Sequence, residues 1–353
     1  MKNLLFIGVL ILHLFTCGYI CEAGVPDGKK VTIAGAGATF PLPFYNLAFK
    51  SYQDNTGVSV TYGGIGSGGG IRSLKDRVVD FGGSDAYLSD KEMSEMPSAT
   101  VHVPTCMGAV VMAYNLPGVK DLKLTGDIIA DIYLGKITRW NDNRIQAVNP
   151  RLNLSDRALN PVYRSDGSGT TFVFSDYLTK ISGEWADRVG TGKSLKWPVG
   201  LAAKGNPGVA GIISQTPGTI GYVGSEYAFA LNIPMAQLKN KAGRFISPTA
   251  ETISAAASGK MPADTRTMIT NAPASDAYPI SCFTWIILYK EQAYNGRTEV
   301  QAKETLRLLD WMLSPEAQSL TGRVHYSPLP RSAVENAKKI LKSVTYNGKT
   351  LLK

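Results

Sequence analysis

Arg164, Ser168 and Thr170 share one run, Arg164-Ser165-Asp166-Gly167-Ser168-Gly169-Thr170, which opens an apolar pattern with helical spacing at Phe174, Leu178 and Ile181. The first turn of a helix offers unpaired N–H groups and the positive end of its dipole. Glycines let such N–H groups converge, two hydroxyls add donors, and a guanidinium adds a planar fork matched to an oxyanion. The chemistry this composition suits is the seating of an anion. Asp166 has the wrong sign for that task, but two residues from Arg164 it can brace the guanidinium.

Two further turns repeat the device. Gly35-Ala36-Gly37-Ala38-Thr39-Phe40 and Gly64-Ile65-Gly66-Ser67-Gly68-Gly69-Gly70 each follow a β-prone run and precede a helical pattern. One such turn alone is commonly just a turn; three in one chain, each with Ser or Thr, point to a shared oxyanion site. Asp85 follows the run Val79–Ser84 and sits where ligands of open α/β sheets gather. A solvated turn aspartate would have the same spacing.

Other chemistries are poorly supported. Beyond residue 23 the histidines are His102 and His325, and neither stands in a catalytic motif. Ser168 is not in a G-x-S-x-G elbow, no glycine loop ends in the Lys-Ser/Thr of a phosphate-binding loop, and no metal-ligand spacing occurs. Gly64-x-Gly66-x-x-Gly69 formally matches a dinucleotide fingerprint, a weak signal by itself. The formal charge of +9 is spread along the chain without a basic block or interleaved aromatics. That argues against nucleic acid and fits attraction of small anions. The expectation is a binding protein rather than an enzyme, without a cofactor or metal. A phosphoryl hydrolase built on the same cradle is the competing class.

The elements that must position these turns follow from periodicity. Val31–Ala34 and Val58–Tyr62 read as strands. Leu42, Tyr45, Phe49 and Tyr52 mark one helix after Pro41, closed by Gly57; Ile71, Leu74 and Val78 mark a second. Ala109–Asn115, Thr219–Val223 and Pro279–Tyr289 read as strands, and 124–140, 209–214, 304–312 and 332–341 as helices. Strands alternate with helices through 353 residues that are 44% hydrophobic and 18% charged. The fold class is α/β with mainly parallel sheets, in two lobes. The first lobe is interrupted by a large insert, and Pro279–Tyr289 carries the chain back.

Lys2 and the apolar run Leu4–Phe15, followed by Cys21-Glu22-Ala23 and Gly24, read as a secretory signal peptide over 1–23. The run is short of the roughly 20 residues of a membrane span. Lipidation at Cys17 or Cys21 is less typical, because Thr16 and Ile20 precede them. Export gives dinucleotides little relevance and leaves Cys106 and Cys282 in oxidising surroundings, either paired or as two buried thiols.

With these residues laid out, the chain resembles the substrate-binding proteins of phosphate-specific ABC transporters. The resemblance rests on the three glycine turns and on Asp80-Phe81-Gly82-Gly83-Ser84-Asp85 and Asp131-Ile132-Tyr133-Leu134-Gly135-Lys136-Ile137. Lys196-Trp197-Pro198-Val199-Gly200, Gly221-Tyr222-Val223 and Ser327-Pro328-Leu329-Pro330 match in order as well. It implies a type II, Venus-flytrap periplasmic binding protein with a hinge between lobes 24–107 plus 281–353 and 108–280. Such a protein works as a monomer that delivers inorganic phosphate to inner-membrane permease subunits driven by a cytoplasmic ATPase. The implied phosphate ligands are the Thr39 and Phe40 N–H groups, Ser67, Asp85, Arg164, Ser168, Gly169 and Thr170, with Asp166 bracing Arg164. The chain departs from the pattern at Gly68, where a second serine is usual and whose absence could loosen the loop. It departs also at Gly83 for alanine and at Gly224 for a glutamate. Cys106 and Cys282 are outside the pattern but lie on the segments expected to cross between lobes, so a disulfide between them is an expectation to test.

Overall fold

The computed structural model describes residues 31–352; the expected signal peptide 1–23, with Cys17 and Cys21, lies outside the described residues. Eight strands form one mixed sheet: β1 Thr32–Gly37, β2 Ser59–Gly64, β3 Phe81–Ser84, β4 Thr100–Tyr114, β5 Asn160–Arg164, β6 Leu201–Ala203, β7 Thr219–Gly224 and β8 Ser281–Tyr289. Their order is β2-β1-β3-β8-β4-β7-β5-β6. The flanks are parallel, β1 with β2 and β3, and β5 with β6 and β7. The two long central strands, β4 and β8, run antiparallel to each other and to the flanks. The α/β class therefore holds, with parallel pairing within this sheet confined to its flanks.

β4 changes neighbours along its length. Residues 100–109 lie against β8, and residues 110–114 lie against β7. Periodicity shows only its second half, because Pro104, Thr105, Cys106 and Gly108 interrupt the apolar run, yet the whole strand is buried apart from Val101. The reading of 124–140 as one helix was too long. The helix is Gly126–Tyr133, capped by the Thr125 hydroxyl, and its C-cap is Leu134. The helix read as 304–312 begins at Glu299, where Thr298 and Gln301 form a capping box and a polar first turn conceals the start. Val78 lies beyond its helix and is exposed.

Five helices begin just after flanking strands: α1 Leu42–Thr56, α2 Ser67–Lys75, α3 Gly169–Ile181, α4 Gly205–Gln215 and α5 Ser225–Ala230. They follow β1, β2, β5, β6 and β7 in turn, so their N-termini gather at the carboxyl ends of the strands. α1 is held there by Phe44, Tyr45, Ala48, Phe49 and Tyr52, all buried. Each large apolar side chain so buried is worth about 1.5–3 kcal/mol. On the other flank, Phe174 of α3 stacks on Tyr222 of β7 at 4.3 Å. These packings fix where the first turn of each helix points.

The expected disulfide is not formed: Cys106 and Cys282 are free and buried. In the β4–β8 register Cys106 faces Thr284 and Cys282 faces Gly108, which makes the cysteines diagonal rather than opposed. Diagonal positions lie about 7–8 Å apart, beyond the usual span of a disulfide. Burial also raises both thiols well above their ordinary range, so neither is a ready nucleophile. Alkylation of the native protein without reductant should leave both cysteines unmodified, and alkylation after denaturation should label both in peptide maps. A Cys106–Cys282 crosslinked peptide would contradict this arrangement.

Candidate functional site

The turns singled out in the sequence meet at one place. Ser67, first residue of α2, accepts a hydrogen bond at Oγ from Gly169 N–H at 3.0 Å and one from Asp85 N–H at 3.4 Å. Gly68 N–H donates to the Gly167 carbonyl at 2.8 Å. Asp85 Oδ2 accepts from the Thr170 hydroxyl at 3.4 Å, and Asp85 Oδ1 from the Thr284 hydroxyl on β8 at 2.9 Å. Arg164 Nη1 reaches Thr170 Oγ1 at 3.3 Å. Ser168 caps α3, its Oγ accepting from Thr171 N–H at 3.0 Å, which leaves its own hydrogen free to point elsewhere. Thr39 and Phe40 form the turn into α1, a helix whose start has no side-chain cap. All eight positions are buried.

The meeting is possible because it is backbone against side chain at Gly169. A Cβ there would lie 2.5 Å from Ser67 Oγ and 2.7 Å from Asp85 N, closer than any real contact. Arg164 is aimed by two partners. Its N–H donates to the Tyr222 hydroxyl at 2.9 Å, which places the base of the side chain. Its Nε and Nη2 grip the two oxygens of Asp166 at 2.7 and 2.5 Å. Asp166 Oδ1 also accepts from Gly205 N–H at the start of α4, at 2.9 Å. The bracing role expected of Asp166 is therefore a bidentate ion pair.

The two carboxylates are driven apart. Burial pushes Asp85 up to about 7, against the opposing pull of Thr284, Arg164 and Thr170. Burial also acts to raise Asp166, but Arg164 and the Gly205 N–H outweigh it and hold that carboxyl below its ordinary value. One carboxyl is a permanent counter-ion; the other exchanges its proton near neutrality.

Asn206 escaped the sequence reading. Its backbone N–H and Nδ2 both donate to Thr39 Oγ1 at 3.1 Å, Nδ2 also reaches Thr170 Oγ1 at 3.2 Å, and Oδ1 accepts from Gly224 N–H at 3.1 Å. It ties three loops together from within α4. The available signal was Gly205-Asn206 just after β6, but three-residue β6 leaves no legible alternation.

A model described as a PBP superfamily domain matches residues 24–316. The phosphate-binding protein PstS of Xylella fastidiosa is 41% identical over 312 residues, covering 87% of this chain and 84% of that protein. The chain belongs to the PstS family of the PBP superfamily. The PstS of Haemophilus influenzae is 39% identical over 328 residues, covering 91% and 96% of the two chains. Among solved structures, a phosphate binding protein from Stenotrophomonas maltophilia shares the fold at a TM-score of 0.65 and 17% identity, covering 88% of this chain and 93% of that one.

The departures from the family pattern now have structural accounts. At Gly68 an added Cβ would lie 3.2 Å from Gly167 Cα, close enough that the facing loop would have to give by a few tenths of an ångström. Gly83 makes room for Tyr62, whose hydroxyl would lie 2.1 Å from an added Cβ. At Gly224 an added Cβ would lie 2.1 Å from Glu226 Oε1. A glutamate carboxylate thus occupies the space beside Gly224, supplied from two residues further on. Glu226 is buried, and burial pushes it up to about 8.

Asp85 and Glu226 set a pH dependence of stability. Both have folded values raised above the ordinary ones of 3.8 and 4.5. Between about pH 4 and 8 these two groups hold protons in the folded state that they release in the unfolded state, so their contribution falls as pH rises through that window and levels off above it. Above about pH 5 this fall outweighs the opposite trend of buried His102, which is held down to about 3. At about 1.4 kcal/mol per pKa unit, Asp85 contributes on the order of 4 kcal/mol to that fall. In phosphate-free buffer the melting temperature should drop from pH 5 to pH 8. Asp85→Asn should remove the part of the drop that ends near pH 7.

Proposed function

We propose that this chain binds inorganic phosphate between its two lobes and hands it to an ABC-type permease for import. The lobes are 24–107 with 281–353, and 108–280, in a protein exported to the periplasm; the change of neighbours along β4 supports a division there. The ligands are the Thr39 and Phe40 N–H groups, Ser67, Asp85, Arg164, Ser168, Gly169 and Thr170. Several contacts within this cluster are long, at 3.3–3.4 Å. A tetrahedral ion entering among them replaces them with charge-assisted bonds of about 2.7–2.9 Å. Binding shifts the open–closed equilibrium, and the permease reads the closed form. No bond of the ligand is broken, so a phosphomonoester should yield no free phosphate.

One observation carries this reading: a buried carboxylate, Asp85, within hydrogen-bond reach of a set of anion donors. A carboxylate repels an anion unless a proton lies between them. Mono- and dibasic phosphate supply one and sulfate does not. Leaving a buried charge unpaired costs roughly 3–5 kcal/mol, and each ~1.4 kcal/mol is tenfold in affinity. Calorimetry at pH 8 should show phosphate preferred over sulfate by about a hundredfold or more, and Asp85→Asn should narrow that gap. Because Asp85 gains its own proton below about 7, it then becomes a donor, so the preference should shrink as pH falls to 5.5. Equal affinities for the two ions at pH 8 would end this account.

A further inference from the structure

Three tyrosine hydroxyls converge on the backbone of the turn at residues 38–40. Tyr62 of β2 donates to the Ala38 carbonyl at 3.0 Å. Tyr227 of α5 donates to the Thr39 carbonyl, and Tyr326 of the C-terminal return segment donates to the Phe40 carbonyl. Each carbonyl shares its peptide group with the nitrogen of the next residue. The Ala38 carbonyl is thereby joined to the Thr39 N–H, and the Thr39 carbonyl to the Phe40 N–H. The Phe40 carbonyl is joined to the nitrogen of Pro41, which has no hydrogen. A trans peptide points its C=O and N–H in opposite directions, so each phenol lies behind the N–H it is paired with.

We propose that Tyr62 and Tyr227 are positioning residues of the anion site. Each donates to the carbonyl of a peptide whose N–H meets the ligand, which fixes the tilt of that N–H and strengthens it as a donor. Tyr326 engages the one neighbouring peptide without an N–H and only holds the chain path. The inference rests on the phosphate reading above and deepens it. Hydrogen bonds in series polarise one another by roughly 10–30% per bond, more effectively away from water. Both phenols keep their protons, since burial holds them well above their ordinary value, so they act as donors throughout. The Tyr62 ring is fixed edge-on to Tyr45 at 5.0 Å and stacked on Phe81, and Gly83 admits its hydroxyl. Glycine at that position, in place of the usual alanine, is therefore part of the same device. Tyr227 comes from the β7 flank and Thr39 from the β1 flank, so that hydrogen bond couples donor alignment to the approach of the two halves.

The test uses Tyr62→Phe, Tyr227→Phe and Tyr326→Phe in the full chain, read by phosphate calorimetry, thermal melting and amide resonances of the phosphate-loaded protein. Tyr62→Phe and Tyr227→Phe should each weaken phosphate roughly three- to tenfold, the loss of one half-buried hydrogen bond. Tyr62→Phe should move the Thr39 amide proton upfield and leave Phe40 in place; Tyr227→Phe should do the reverse. Gly83→Ala should reproduce the Thr39 shift. Tyr326→Phe should lower the melting temperature while changing phosphate affinity less than about twofold and moving neither amide. Equal affinity losses in all three variants, or losses without the residue-specific amide shifts, would reduce the tyrosines to structural props and overturn the inference. Wild-type binding with unchanged affinity in Tyr62→Phe and Tyr227→Phe would overturn it alone, whereas a wild type that takes up no phosphate would bring down the underlying reading as well.

Discussion

The site depends on main chain being able to touch what faces it across two loops. Gly68 donates its N–H to Gly167, and Gly169 lies against Ser67 and Asp85 at distances that no side chain would permit. Donors brought in this way are N–H groups on helix starts whose direction is set by packing far from the site, through Phe49 and Tyr45 on one flank and Phe174 on Tyr222 on the other. Backbone donors have no rotamers to order, which lowers the cost of seating a ligand against them. The same closeness removes water, which is why the ionisable groups behave as they do.

Within that dry contact, two aspartates in similar surroundings take opposite roles. Asp166 is matched by both edges of a guanidinium and by the Gly205 N–H, so its charge is settled. Asp85 has hydroxyls from Thr170 and Thr284 but no cation in hydrogen-bonding contact among the described residues. Burial therefore prevails, and its proton becomes negotiable. The pH response expected of the fold comes from this asymmetry together with the buried Glu226. Arg164 serves both sides: it anchors one carboxylate while leaving Nη1 directed to Thr170.

Much of this was legible from residue type. The glycine turns, their hydroxyls, Arg164, Asp166 and Asp85 were all visible because local chemistry marks them: glycine before a helical period, arginine two residues from aspartate. What was hidden depends on neighbours distant in sequence. The first half of β4 lacks alternation because it is covered on both faces, and a strand of that kind carries no period to detect. Asn206 acts through contacts with residues 167 and 36 positions away. The cysteines lie on adjacent strands, but the two-residue offset that separates them is a property of register, which no composition reveals. The tyrosines at residues 62, 227 and 326 look like ordinary core aromatics until their hydroxyls are followed to a single turn.

Glu226 carries a lesson about how relatedness should be judged. Its carboxylate fills the volume beside Gly224 although the chain takes a glycine and a serine to reach it. A search demanding an acid immediately after Gly-Tyr-Val would discard this protein as divergent. Judged by volume instead of by position in the chain, a buried carboxylate still stands beside Gly224.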